Sequence, residues 1–337
     1  MRFKVYLSRC GLAALAGAWC GLAIGATDPT HETRRHMGVA WTITVHAPER
    51  PSALAAIAAA HDEVARLERI LSDYDPHSEL CRLSAQAPTP TPVPVGDDLW
   101  RVLSRAVAIR DASGGAFDPT VGPLTSLWRQ ARRSGVMPRP ERLTAARAAV
   151  GPDVLTLHPA NQAVGLGKPG MRLDLGGIGM GDAIDRAVAV LRRHGITSGM
   201  VDASGDIAVI GAPPGRSGWR VATAALGSRE GVDGELVLVD RAVTTSGDAF
   251  QSVTIDGVRY SHVVDPRTGR GVIGPAAVTV IAADCTTADA LATAANVLGP
   301  EAGMRLINAT PGAAARFVWQ EADGTRRETC SSGWHQP

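Results

Sequence analysis

Apolar positions along the chain fall into two rhythms, and together they predict helices mixed with short strands. In Ser52–Leu71, the residues Leu54, Ile57, Ala58, Val64, Leu67 and Leu71 recur at helical spacing behind a Ser52 that can cap the helix. Asp97–Ala112 repeats the pattern with Leu99, Val102, Leu103, Ala106 and Ile109, and Ser113-Gly114-Gly115 ends it. Further helices are predicted over Leu124–Arg133, Glu141–Val150, Gly181–His194, Ala288–Leu298 and Met304–Asn308, with Asp284-Cys285-Thr286-Thr287 capping the fourth of these. The two-residue rhythm predicts strands over Met37–Val45, Val154–Leu157, Ala163–Leu166, Leu173–Leu175, Trp219–Thr223, Glu235–Asp240, Ala276–Ala282 and Ala314–Trp319. It also predicts strands on both sides of Ala203-Ser204-Gly205-Asp206. Ser252–Ile255 and Val258–Val264 flank Asp256-Gly257, a strong short-range hairpin signal, and Thr245–Asp248 and Asp265–Gly269 read as the turns that bound this hairpin. Thr27–Arg35 reads as a linker, Ala85–Val95 as a Pro-rich loop, and the chain from Gln320 onward as a polar, frayed tail. No βαβ period appears and no clean internal repeat. The predicted fold class is therefore α+β, mixed helices with largely antiparallel sheets, rather than doubly wound α/β.

Composition narrows this picture. Apolar residues make up 45% of the chain and charged residues 20%, as in soluble globular proteins. A formal net charge of +1 and only 4% aromatic residues argue against a nucleic-acid partner. The first 26 residues differ from the rest: Arg2, Lys4 and Arg9 precede an apolar stretch from Cys10 to Ile24, and Gly25-Ala26 offers small residues for cleavage. This is the pattern of a secretory signal, and the run is short against the roughly 20 apolar residues of a membrane span. A lipid on Cys20 is disfavoured because Trp19 precedes it, although association with the inner membrane stays open. The expected organisation is a signal over 1–26, a linker over 27–36, a main domain over 37–320 and a polar tail over 321–337. Removing the signal leaves Cys81, Cys285 and Cys330, without metal-site spacing and with at most one disulfide among them.

Several stretches carry candidate chemistry, and each has a plainer alternative. His262 lies just before Asp265-Pro266-Arg267-Thr268-Gly269, an arrangement able to hold an anion and move a proton, or simply a hairpin with polar ends. Tyr74, in the loop Ser72–Leu80, is either an aromatic offered to a planar ligand or loop packing, since Pro76 bars Asp75 from helix. Ala116-Phe117-Asp118 opens a loop stiffened by Pro119 and Pro123, which is either a preorganised contact or a connector. Met171–Gly181 places glycines before a helix, where backbone can approach a phosphate, but its spacing is not the dinucleotide fingerprint. Asp289 and Thr293 are four apart on one helix face and offer oxygen to a hard cation, or act as a first-turn acid and helix filler.

Six of these stretches, in order, resemble the ApbE family of flavin transferases, FAD:protein FMN transferases. They are Met37-Gly38, SDYDPHSEL from Ser72, GGAFDPTVGPL from Gly114, LDLGGIGMG from Leu173, TSGD with YSHVVDPRTG between Thr245 and Gly269, and TTADALATA from Thr286. The likeness spans Met37 to Val318. It implies an ApbE-like, T-fold-related architecture and an exported, periplasmic enzyme. That enzyme would take FAD and Mg²⁺, move FMN onto a Thr or Ser hydroxyl of a periplasmic or membrane-bound target flavoprotein, and release AMP. By motif, Met37, Tyr74, Ala116, Phe117, Asp118, Asp174 and Met180 would contact FAD. Gly177 (through its carbonyl), Asp289 and Thr293 would hold the cation, and His262 would be the base.

Four positions depart from the family pattern: Met180 stands for a Lys, Asp182 for an aromatic, Ser204 for a Gly and Gly271 for a Pro. A lost cation and an added carboxylate beside a pyrophosphate are expected to weaken FAD binding unless Arg267 or Arg270 compensates. Two other functions therefore stay open: Mg²⁺-dependent hydrolysis of FAD to FMN and AMP, and non-catalytic carriage of FAD.

Overall fold

Thr30–His36 (β1), expected as linker, is a strand that pairs antiparallel with Val39–His46 (β2) across a two-residue turn at Met37-Gly38. The computed structural model describes residues 28–224, 226, 232–247, 251–321 and 323–334, so the expected secretory signal and Asp248 lie outside the described residues. After β2 come α1 (Arg50–Leu71), α2 (Glu79–Ser84), the short β3 (Val93–Pro94), α3 (Asp97–Ala112), α4 (Gly122–Ser134) and α5 (Pro140–Arg147). Next are β4 (Leu155–His158), β5 (Ala163–Leu166), α6 (Gly179–Arg193), β6 (Ser198–Ala203), β7 (Asp206–Ile210), β8 (Trp219–Ala224) and β9 (Val232–Leu238). The chain continues with β10 (Ala242–Gly247), β11 (Ser252–Ile255), β12 (Val258–Asp265), β13 (Arg270–Ile273), β14 (Ala276–Ala282), α7 (Cys285–Leu298), α8 (Pro300–Asn308), β15 (Ala314–Gln320) and β16 (Arg326–Cys330).

Eight strands form one sheet in the order β1-β2-β6-β7-β10-β14-β15-β16, with every neighbouring pair antiparallel. Alternation sorts its side chains between two cores. Trp41, Val201, Ala208, Ile210 and Ala242 face the helices α1, α6 and α7, while Met200, Ile207, Val209 and Val243 face Trp219, Val221, Leu236 and Leu238 of the β8–β9 hairpin. Both faces of β7 are thus covered, which is why Ile207–Ile210 is an unbroken apolar run. A third cluster joins Leu124, Trp128 and Ala131 of α4 to Ile255, Tyr260 and Val264 of the three-stranded sheet β11-β12-β13.

Some expectations are corrected. Thr245-Ser246-Gly247 is not a turn but the end of β10, paired with β14. Leu173–Leu175 lies outside any sheet. Ser52 does not cap α1, which begins at Arg50 and accommodates Pro51 in its first turn. Part of the supposed tail is β16, an edge strand. Cys81, Cys285 and Cys330 are unpaired.

The junction that positions the site is the docking of α7 on α6. Asp284 caps α7, accepting the Thr287 N–H. Asp185 of α6 reaches the same end: its carboxylate accepts the Cys285 N–H at 2.7 Å, the Thr286 N–H at 2.8 Å and the Thr286 hydroxyl at 2.5 Å. These bonds satisfy helix-end donors that would otherwise be orphaned, and they set an anion at the positive end of the helix.

Asp185→Ala is expected to destabilise the protein by about 3 kcal/mol, a buried charge-assisted anchor being lost, as measured by denaturant unfolding. A second expectation concerns pH. His61, fully buried on α1 beside His36, is held down to about 4, chiefly by burial and then by the Arg34 charge. The unfolded chain binds that proton more readily, so stability is full above about 6.5 and falls as pH drops from there towards 4. Thermal melts across this window should show a shallower loss in His61→Gln than in the native chain.

Candidate functional site

The glycine bend before α6 is formed by Asp174, whose Oδ1 accepts the Gly176 N–H at 2.8 Å. Gly177 follows, and a Cβ there would sit 2.9 Å from Thr293 Oγ1 and 3.2 Å from Phe117 Cε2. At Gly181 a Cβ would sit 2.4 Å from the Cys285 carbonyl oxygen, so only glycine lets α6 approach α7 this closely. The Gly181 N–H then donates to Asp289 Oδ2 at 3.2 Å. The structure therefore brings Gly177, Asp289 and Thr293 to one place, the α6–α7 junction, although 112 and 116 residues separate Gly177 from the other two in the chain.

Asp289 is buried. Desolvation first, then the charges of Asp206 and Asp185, push its carboxyl well above the ordinary range, opposed by the Gly181 N–H. Asp206, on β7, is itself pushed up to about 7 by burial, and Asp202 to about 6. A buried acid whose hydrogen-bond partner is a backbone N–H, one helical turn from the Thr293 hydroxyl, offers hard oxygen donors of the kind suited to Mg²⁺. Among the described residues no group of three His, Cys, Asp or Glu is arranged to hold a metal, so such a site relies on hydroxyl and backbone oxygen beside one acid.

A second group lies on the other side of the bend. The Asp174 N–H donates to the Pro119 carbonyl at 2.8 Å, which ties the glycine segment to the Ala116–Asp118 loop. Phe117 is buried, its N–H bonded to Ser113 Oγ. Asp118 Oδ1 accepts both the N–H and the hydroxyl of Thr120, and burial raises its carboxyl. That oxygen stiffens the loop from within. Asp174 Oδ2 accepts from Thr125 Oγ1 at 2.7 Å and from Arg129 Nη2 at 3.0 Å. Arg129 was not singled out in the sequence. It also meets Asp73 and lies 4.4 Å from the centre of the Tyr74 ring, which is 71% exposed.

Met37 occupies the β1–β2 turn with φ of 49°, a left-handed conformation costly for its side chain, and its N–H donates to Glu68 of α1. Met180 is half-buried in the first turn of α6 and packs against the main core. Asp182 corrects an expectation. Rather than adding repulsion near a phosphate, its buried carboxylate is gripped by Arg101 of α3 through both oxygens, at 3.0 and 2.8 Å. Arg267, offered as a compensating cation, forms a two-point ion pair with Asp265 in its own turn. Ser204 holds the left-handed position its family glycine would take, with φ of 55°, and donates its hydroxyl to the Ala40 carbonyl.

His262 stands on β12, which follows the Asp256-Gly257 turn as expected and packs against both α4 and α7. Its backbone N–H donates to the Gln251 carbonyl at 2.8 Å, and its ring Nδ1 lies 3.2 Å from the same oxygen. A carbonyl only accepts, so Nδ1 carries a proton in this contact, and in the neutral form of the ring the lone pair falls on Nε2. A cavity of about 770 Å³ opens beside Asp118 and the Pro266-Arg267 turn, lined also by Arg110, Thr144 and Arg147.

The strain at Met37 is testable: Met37→Asn, a residue that tolerates left-handed backbone, should stabilise the fold by about 1 kcal/mol in denaturant titrations.

The ApbE family profile matches residues 37–317. The chain is 35% identical over 247 residues to an FAD:protein FMN transferase of Vibrio cholerae, covering 71% of this chain and 72% of that protein. It is 34% identical over 297 residues to an FAD:protein FMN transferase of Treponema pallidum, covering 81% and 80%. Among solved structures, the flavin transferase ApbE from Vibrio cholerae superposes with a TM-score of 0.81 at 30% identity, over 90% of this chain and 97% of that one. The apo flavinyl transferase ApbE of Pseudomonas stutzeri gives 0.80 at 30% identity, over 90% and 95%.

Proposed function

We propose, for a chain that belongs to the ApbE family and is a transferase, that it moves FMN from FAD to a Thr or Ser hydroxyl of a target flavoprotein, releases AMP and requires Mg²⁺. The observation that carries this reading is the α6–α7 junction, where Gly177 abuts Thr293 and the Gly181 N–H donates to Asp289, one turn from Thr293 on α7. Gly177, Asp289 and Thr293 would hold Mg²⁺, which supplies neutralisation of pyrophosphate charge.

The remaining work falls to side chains of this protein. His262, with Nδ1–H fixed on the Gln251 carbonyl, takes the hydroxyl proton on Nε2. The hydroxyl oxygen forms its bond to the flavin-side phosphorus as the bond to the bridging oxygen breaks, and AMP departs with that oxygen. Tyr74 offers an exposed ring face for stacking, and the Ala116–Asp118 loop, tied to Asp174, frames the nucleotide. Export by the leader over 1–26 would place the reaction and its client in the periplasm, which a fusion to a reporter active only outside the cytoplasm tests.

The decisive assay incubates the protein with FAD, Mg²⁺ and a candidate client, then denatures the client and measures retained flavin fluorescence. Covalent FMN on the client is expected. His262→Ala should slow transfer by roughly 10²–10⁴-fold while FAD still binds, and Asp289→Ala should abolish Mg²⁺-dependent turnover. Release of free FMN without labelled client would show hydrolysis instead, and FAD left intact would show a carrier.

A further inference from the structure

Arg129 is the residue that the chemistry above does not use and the structure does not let pass. It sits on α4 with only 18% of its side chain exposed, between two carboxylates: Asp73 at 2.5 Å and Asp174 at 3.0 Å. Thr125, four residues earlier on the same helix face, grips the same Asp174 oxygen at 2.7 Å. Arg172 adds a bond to the Asp73 carbonyl. Above this cluster the guanidinium carbon lies over one face of the Tyr74 ring, 4.4 Å from its centre, and Tyr74 is 71% exposed.

A large aromatic on a loop normally keeps rotamer freedom and loses it when a ligand stacks on it. Here the cation fixes one face of the ring in advance and leaves the ring otherwise open. The same guanidinium fixes the Asp174 carboxylate, whose other oxygen shapes the glycine bend through Gly176. Two segments far apart in the chain, Ser72–Asp75 and Leu173–Gly177, are thereby locked to one helix.

We propose that Arg129 is a positioning residue for FAD: it holds the Tyr74 ring and the Asp174 carboxylate as one preorganised cradle, so that stacking and the glycine bend act together. This rests on the FAD reading above. Arg129 touches no reacting atom in that scheme, so its effect belongs in binding rather than in the chemical step. Burial and the neighbouring Asp174 already push the Asp73 carboxyl up, with Arg129 opposing them, so a neutral residue at 129 also leaves two buried acids facing each other.

The test is a double-mutant cycle on FAD affinity, read by quenching of FAD fluorescence without Mg²⁺ so that nothing is consumed. Arg129→Gln and Tyr74→Leu should each weaken binding about tenfold, with the double variant no weaker than the worse single one to within about twofold. Arg129→Lys keeps the charge but loses the planar fork, and should fall between native and Arg129→Gln. The rate at saturating FAD should change less than about threefold in the two Arg129 variants. Thermal midpoints recorded alongside separate loss of fold from loss of positioning, and Arg129→Lys keeps the test open if Arg129→Gln does not fold. Native-like affinity in Arg129→Gln, or losses that multiply to about a hundredfold in the double variant, would overturn the proposal. Failure of the native protein to bind FAD would overturn the function as well.

Discussion

The arrangement depends on how closely α6 and α7 approach. Small residues permit it: Gly181 meets the Cys285 carbonyl, Gly177 meets Thr293, and α7 carries alanines at 288, 290, 292, 294 and 295 on its buried faces. Charge then fixes it. Asp185 binds the first-turn donors of α7, and the Gly181 N–H binds Asp289 in return. A slip of α7 by one residue along its axis, about 1.5 Å, would break all of these contacts together. The helix is therefore a rigid rail, and Asp289 and Thr293 are set on it at a fixed height relative to the glycine bend.

The same junction concentrates acid in a poorly solvated place. Asp185, Asp206 and Asp289 are each raised by burial and, to a lesser degree, by other acids nearby. Elsewhere the fold answers buried acids with arginine: Arg101 for Asp182, Arg129 for Asp73 and Asp174. At Asp289 the hydrogen-bond donor is the Gly181 N–H rather than a cation. Asp289 thus differs from Asp182, Asp73 and Asp174, and a buried acid left without a paired cation suits a metal seat.

Much of this was legible in the residues. Helical spacing located α1, α3, α6 and α7, Asp256-Gly257 marked the hairpin that carries His262, and strand character on both sides of Ala203–Asp206 marked β6 and β7. What escaped did so for physical reasons. β1 (THETRRH) and β16 (RRETC) are edge strands, and charged side chains suit an edge that must not pair with another molecule, so they look like linker and tail. The Met37-Gly38 turn puts a side chain in a left-handed conformation that local preference argues against. Arg129 gave no signal at all, because its partners lie 45 and 56 residues away and one more arginine on an amphipathic helix resembles a solvated face. The apparent strand at Leu173–Leu175 failed because its backbone bonds go to the Ala116–Pro119 loop and to Ser84 instead of to a sheet.

The central claim, that the glycine bend and α7 build one oxygen-lined seat for a divalent cation, is tested most directly by crystallography with FAD and Mn²⁺. Anomalous difference maps should place the ion against an Asp289 oxygen, Thr293 Oγ1 and the Gly177 carbonyl at once. An ion bound away from that junction, or none in crystals that hold FAD, would contradict the account.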